Sequence, residues 1–129
     1  MTYLIVFLGG GIGAALRHGF NIAFARLLGT AFPYATLFEN VSGSLAMGVL
    51  IGWFALRSGM GGGVPQHWQL FLTTGILGGY TTFSTFSLDV AVLYERGDNL
   101  SLAALYVALS VALSIAGLFA GMAVVRNFA

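Results

Sequence analysis

The sequence contains no cysteine and no lysine, and proline occupies only two of its 129 positions. Without cysteine there is no disulfide, no thiolate nucleophile and no cysteine metal site, and redox compartment leaves no mark on the composition. Charge is equally scarce. Asp, Glu, Lys and Arg together make up 7% of the chain, against roughly 25% in an average soluble domain. Five arginines and four carboxylates cannot clothe a water-facing surface, so the solvent around this chain must be mostly lipid. A formal net charge of +1 also excludes a nucleic-acid footprint, because there is no basic patch to neutralise phosphates. What remains in abundance is apolar residues, at 58%, and glycine, at 19 positions.

A spanning helix needs about 20 mostly apolar residues. The charge-free stretches 1–16, 40–56, 58–88 and 99–125 can each seat one. The sequence therefore predicts an all-α integral membrane protein, one transmembrane domain over residues 1–129. Its helices are expected near residues 2–27, 34–57, 66–96 and 99–126. Gly29 and Pro33 punctuate the first connection. The glycine-rich linker 58–65 is expected to be flexible and exposed, and Asp98-Asn99 forms an N-cap signal for the last helix. Tyr3, Tyr34, Trp53, Trp68 and Tyr94 fall near helix ends, where amphipathic rings favour the headgroup zone.

Four spans put Arg57 and Arg126 on one side of the membrane and Arg26 and Arg96 on the other. Two against two leaves the positive-inside rule nothing to act on. One reading is that a small protein simply has few charges; the sharper one is insertion both ways round, followed by antiparallel pairing. Each span also carries a Gly-x-x-x-Gly pair: Gly9/Gly13, Gly48/Gly52, Gly75/Gly79 and Gly117/Gly121. About three such pairs arise by chance at this glycine content, so their even distribution is the signal, and it points to close helix packing.

Polar groups at lipid depth are expensive and mark functional positions. Arg17 lies well inside the first helix, where it either bonds carbonyls or draws anions toward a vestibule. Glu39 and Asn40 sit in the first turns of the second. Asn40 offers an uncharged amide donor, either to an anion or to a neighbouring helix. The segment from Thr74 to Ser87 combines Gly78-Gly79 with Thr81-Thr82, a poor helix interior. A break near residues 78–82 would free carbonyls and amides, tolerable only in protein or beside a wet cavity. Freed carbonyls from two chains would suit a small monovalent cation. Phe83 and Phe86 share a helix face, as do Ser110 and Ser114, with Tyr106 one turn further. A phenylalanine edge is electropositive and can stabilise an anion without trapping it.

Gly9-Gly10-Gly11-Ile12-Gly13-Ala14-Ala15-Leu16-Arg17, Thr36-Leu37-Phe38-Glu39-Asn40-Val41-Ser42-Gly43 and the run from Gly75 to Ser87 resemble the three signatures of the CrcB/Fluc fluoride channel family. The third is the most specific, and the resemblance extends over essentially the whole chain. It implies an antiparallel, dual-topology homodimer in the bacterial inner membrane, with two pores exporting fluoride. By that resemblance Asn40 would donate to fluoride and Phe83 and Phe86 would line the pores. Ser84, Thr85 and Ser110 would supply polar positions along the pathway, with Arg17 near the vestibule; Ser114 joins that pathway from its helical spacing with Ser110 rather than from the resemblance. The backbone carbonyls of Gly78 and Thr81 would hold a central structural sodium ion. Two positions depart from the family pattern: Glu39 replaces an uncharged residue before the asparagine, and Asp89 replaces a glutamate.

Passive permeation is the expected mechanism, since the helices show no alternating carboxylate relay of the kind proton-coupled carriers use. A small dual-topology multidrug or cation exporter is one rival, but it wants a carboxylate in the first helix, and residues 2–27 contain none. A non-transporting membrane assembly subunit is another. No nucleophile–base pair or metal set points to an enzyme.

Overall fold

A computed structural model describes residues 1–97 and 100–128, so the Asp98-Asn99 capping signal lies outside the described residues. Helix α1 runs Thr2–Leu28 and α2 Tyr34–Gly59. The third span is composite: α3 (Gln66–Leu70), a π-helical segment (Phe71–Leu77), α4 (Gly78–Tyr80) and α5 (Phe83–Gly97). Helix α6 covers Leu100–Phe128. The described residues thus form four helical spans long and apolar enough to cross a membrane.

The chain turns its apolar residues outward. Phe7, Leu88 and Phe119 are largely exposed, while Glu39 and Tyr106 are the largest side chains fully enclosed. This inversion follows from the solvent: lipid tails do not drive apolar side chains inward, so polar groups take the interior. The small core that does exist joins Phe86 and Leu93 of α5 to Ala103 and Tyr106 of α6, with Phe32 and Leu37 packed on it.

Backbones meet directly along two seams. In the first, α1 lies against the π segment and α4; a methyl group added at Gly13 would overlap the Ile76 carbonyl, and one at Gly9 would come within 2.9 Å of Gly75 Cα. In the second, α2 lies against α6, where a methyl at Gly48 would overlap the Leu118 carbonyl. All four Gly-x-x-x-Gly pairs belong to these two seams.

The π segment is a feature that helical periodicity alone does not announce. The Gly78 N–H reaches back to Thr73 O, five residues earlier. One turn before, the Thr73 hydroxyl occupies the Gln69 carbonyl at 2.7 Å, a side-chain competitor for the backbone ladder. Thr81, beyond α4, takes an extended conformation (φ −83°, ψ 155°), and neither Thr81 nor Thr82 is helical.

Candidate functional site

Asn40, in the second turn of α2, reaches across to the peptide of Thr82. Its Nδ2 donates to Thr82 O at 3.1 Å, and Thr82 N–H donates to Asn40 Oδ1 at 2.9 Å. The side-chain amide thus stands in for a neighbouring peptide group. One of the two Nδ2 hydrogens is used in this ring, which leaves the other available to a ligand. Thr82 in turn caps α5: its Oγ1 accepts the Thr85 N–H at 3.2 Å, satisfying an N-terminal amide that lipid could not.

These bonds have a consequence for the preceding carbonyls. In a continuous helix, Thr82 N–H would bond the Gly78 carbonyl and Thr85 N–H the Thr81 carbonyl. Here those donors are committed to Asn40 Oδ1 and Thr82 Oγ1. Gly78 and Thr81 therefore both face a cavity with their usual intrahelical donors engaged elsewhere.

That cavity is a groove of about 410 Å³ along α2, α5 and α6, lined by Asn40, Phe83, Phe86, Ser110 and Ser114 as well as Gly78 and Thr81. Phe83 is 77% exposed and Phe86 buried, with ring centroids 5.3 Å apart and planes inclined at 52°. Ser110 is buried, and its hydroxyl has no partner in the structure. No formal charge lines the groove. Its donors are hydroxyls, an amide and the edges of two rings, groups that coordinate an anion without binding it as an ion pair would.

A second cavity, of about 300 Å³, opens beside Asn21, Thr36, Thr85, Asp89 and Arg96. The two cavities meet the same stretch of α5 from different directions, Thr85 facing this one and Phe86 the groove. Tyr106 lies enclosed at the same level. Its hydroxyl donates to Asp89 Oδ2 at 3.1 Å, while its ring lies 5.3 Å from Phe86 and meets Phe32 edge-on at 5.5 Å.

The groove thus brings together Asn40, Phe83, Phe86, Ser110, Ser114, Gly78 and Thr81. Ser84 and Thr85 do not line it: Ser84 is exposed, with its hydroxyl 3.3 Å from Thr82 Oγ1, and Thr85 borders the second cavity. Arg17 is half-buried on α1 and lines neither cavity.

One participant escapes a reading by residue type. Asn21 donates from Nδ2 both to Arg17 O at 3.0 Å and to Glu39 Oε1 at 3.1 Å. It clasps the one carboxylate that is fully enclosed among the described residues, that of Glu39, whose Oε2 has no partner. Its spacing of four from Arg17 places it on the same face of α1, and that was the available signal. Thr82, one of the hydroxyl residues at the expected break, does cap a freed amide: it stands three residues before Thr85, the position a helix N-cap takes relative to N3.

The composition, the four spans and the groove agree with what this chain is similar to. The family model described as CrcB-like protein, Camphor Resistance (CrcB), matches residues 4–122. The fluoride-specific ion channel FluC of Rhodopseudomonas palustris (strain BisB5) is 66% identical over 126 residues, covering 98% of each chain. Its namesake in Methylobacterium nodulans is 61% identical over 128 residues, 99% of this chain and 98% of that one. The fluoride-specific ion channel FluC 2 of Nitrobacter hamburgensis is 56% identical over 127 residues, again 98% of both. A match that begins in the first turn of α1 and ends in the last turns of α6, taking in both glycine seams and the groove between them, makes this multi-pass membrane chain a member of the CrcB family.

Proposed function

We propose that the chain is a fluoride-selective channel through which fluoride leaves the bacterial cytoplasm passively across the inner membrane, relieving fluoride toxicity. The observation that carries this reading is the uncharged groove, where Asn40, Phe83, Phe86 and two serines converge. Fluoride is small and strongly hydrated, so a path for it must replace part of its water with donors while remaining too narrow for larger halides. Phenylalanine edges, the second Asn40 hydrogen and the Ser110 hydroxyl are such donors. None carries a charge that would hold the ion in place, and conduction needs binding loose enough to leave. Arg17 and Arg96 add a positive potential around the approach rather than a contact within the groove.

Chemistry supplies the direction of flow. Neutral hydrogen fluoride crosses lipid unaided and ionises inside near neutral pH. A leak specific for the anion then allows a membrane potential, negative inside, to drive it out, at about 2.3 kcal/mol per charge for each 100 mV.

The groove is open along one side, with the Phe83 ring mostly uncovered. A pathway through lipid must be closed, so the reading includes a second copy covering that side. The even division of arginines between the two membrane faces supports antiparallel packing, a dual-topology homodimer with two pathways. Where two copies meet, the Gly78 and Thr81 carbonyls fit a sodium ion. They are neutral oxygen donors whose usual helical partners are engaged elsewhere, and no carboxylate stands beside them in the groove. Such an ion would lock the two third spans together at their non-helical residues; it plays no part in permeation.

Fluoride-electrode efflux from proteoliposomes, with chloride as comparison, tests the reading. Fluoride efflux that is indifferent to a proton gradient, with chloride retained, is the expected result. Gradient-dependent movement of organic cations would replace it with an exporter, and liposomes that leak neither would replace it with a non-transporting subunit.

A further inference from the structure

A cleft of about 270 Å³ shares no lining residue with the groove and lies at the end of the bundle where α2 finishes and α3 begins. Its walls are two facing rows. Trp53 and Arg57 stand four residues apart on α2, and Trp68 and Leu72 four apart on the third span, so each pair shares one helix face. The loop from Gly62 to Pro65 closes the outer end. That loop is tied to both helices: Gly62 N–H donates to Arg57 O at 3.1 Å, and Gln69 Nε2 to Val64 O at 2.8 Å. The cleft is therefore built by the chain's own hydrogen bonds.

Its charge is unbalanced. No aspartate or glutamate occurs between Asn40 and Leu88 in the sequence, and the four acidic side chains are Glu39, Asp89, Glu95 and Asp98. Glu39 belongs to the first turns of α2, and Asp89 and Glu95 to α5, whose C-terminus lies at the opposite end of the bundle. Among the described residues, Arg57, Arg126 and His67 thus share their end of the bundle with no acidic side chain. An arginine at the membrane surface without a carboxylate takes its counter-charge from what surrounds it, and two indoles place the cleft at headgroup depth.

We propose that this cleft is a binding site for the headgroup of an anionic phospholipid. The Arg57 guanidinium forks onto the phosphodiester, as its planar donors allow. Trp53 and Trp68 flank the glycerol region with ring faces toward the acyl chains and indole N–H groups toward the headgroup. The site depends on the chain spanning a membrane and not on which ion it conducts.

The chain carries its own probe, because Trp53 and Trp68 are its only tryptophans and both line the cleft. The full-length protein, reconstituted in phosphatidylcholine liposomes, is titrated with acyl-brominated phosphatidylglycerol or acyl-brominated phosphatidylcholine, and quenching of indole emission is read. Brominated phosphatidylglycerol is expected to compete for the tryptophans about fivefold better, the weight of one cationic side chain at an anionic surface. R57Q should abolish that preference, R57K should retain most of it, and R126Q, at the same end but outside the cleft, should leave it intact. Equal quenching by the two lipids in the unmodified protein overturns the proposal without recourse to any variant. Preference that survives R57Q, or disappears equally in R126Q, reduces it to general surface attraction. Suppression by inorganic phosphate at constant ionic strength would make the site one for a soluble anion instead. Fluoride efflux measured on the same liposomes is a separate readout, so failure here leaves the channel reading standing.

Discussion

Along the α2–α6 seam, Gly48 and Gly121 press two uninterrupted helices together; along the α1 seam, Gly9 and Gly13 press a helix against a π segment and the short α4. Glycine is used for the same steric purpose in both. In lipid, where no hydrophobic force pulls helices together, removing side chains lets backbones gain dispersion contacts. The partners differ. Helix α6 presents a regular ladder, whereas the third span shifts its hydrogen bonds by one residue and leaves helical geometry at Thr81. Some of the compensating hydrogen bonds come from the span's own hydroxyls, Thr73 on the Gln69 carbonyl and Thr81 on the Leu77 carbonyl; the two amides after the break are met by Asn40 from α2 and by Thr82 at the α5 cap. Close packing makes a scaffold. The candidate site lies where close packing coincides with backbone that must find partners elsewhere.

Breaking either seam should have the largest effect. Gly48→Leu or Gly13→Leu would drive a branched side chain into a carbonyl, and neither variant should yield a monodisperse peak in size-exclusion chromatography. Gly10→Ala sharpens the contrast, because an added methyl there meets nothing within 4 Å; its melting temperature should match the parent.

Next in size are changes at the irregular partner. Asn40→Asp keeps an oxygen for Thr82 N–H but loses the donor and adds charge in an uncharged groove. Fluoride efflux should fall by about tenfold or more, a barrier change of at least ~1.4 kcal/mol, with the fold retained. Phe83→Ile, which removes a ring edge but keeps an apolar side chain, should also lower efflux strongly. Unchanged flux in both reconstituted variants would move the pathway away from this groove.

The Thr82 hydroxyl caps α5 without reaching across to another helix. Thr82→Ala should cost ~1 kcal/mol, the usual weight of an N-cap side chain, read as a lower midpoint on thermal unfolding in detergent, with Thr82→Ser restoring it. Smallest of all should be the Asn21–Glu39 contact. Hydrogen bonds between membrane helices average only about 0.6 kcal/mol, so Glu39→Gln, which keeps the acceptor for Asn21, should hold the midpoint. Glu39→Ala should lower it slightly, through the lost contact and the cavity it leaves.

Much of this was legible beforehand because lipid imposes strong rules. Helix ends near Leu28, Gly59 and Gly97 follow from span length and from Gly and Pro, and the four Gly-x-x-x-Gly pairs could be read directly. Which pair meets which could not. Gly75 meets Gly9 and Gly79 meets Gly10, while Gly121 packs beside Gly48 and Gly117 against Val41 and Leu45, and nothing in a repeat spacing encodes its partner. The candidate site divides in the same way. Asn40, Phe83, Phe86, Ser110 and Ser114 share one groove, whereas Ser84 and Thr85, from the same run of residues, do not border it. On a helix, side chains one residue apart point about 100° apart, so a motif gathers residues along the chain without placing them on one wall.

The amino-acid sequence alone therefore determined the solvent, the number of spans and the supply of uncharged donors, since each follows from local composition and the thickness of a bilayer. Tertiary structure alone decided that the Asn40 amide would replace a peptide partner for Thr82, that Asn21 would hold the enclosed Glu39, and that a π turn would precede the non-helical residues. The reason is that an unsatisfied backbone group in lipid must find a donor or acceptor wherever packing brings one near. That neighbour can be more than forty residues away in the chain.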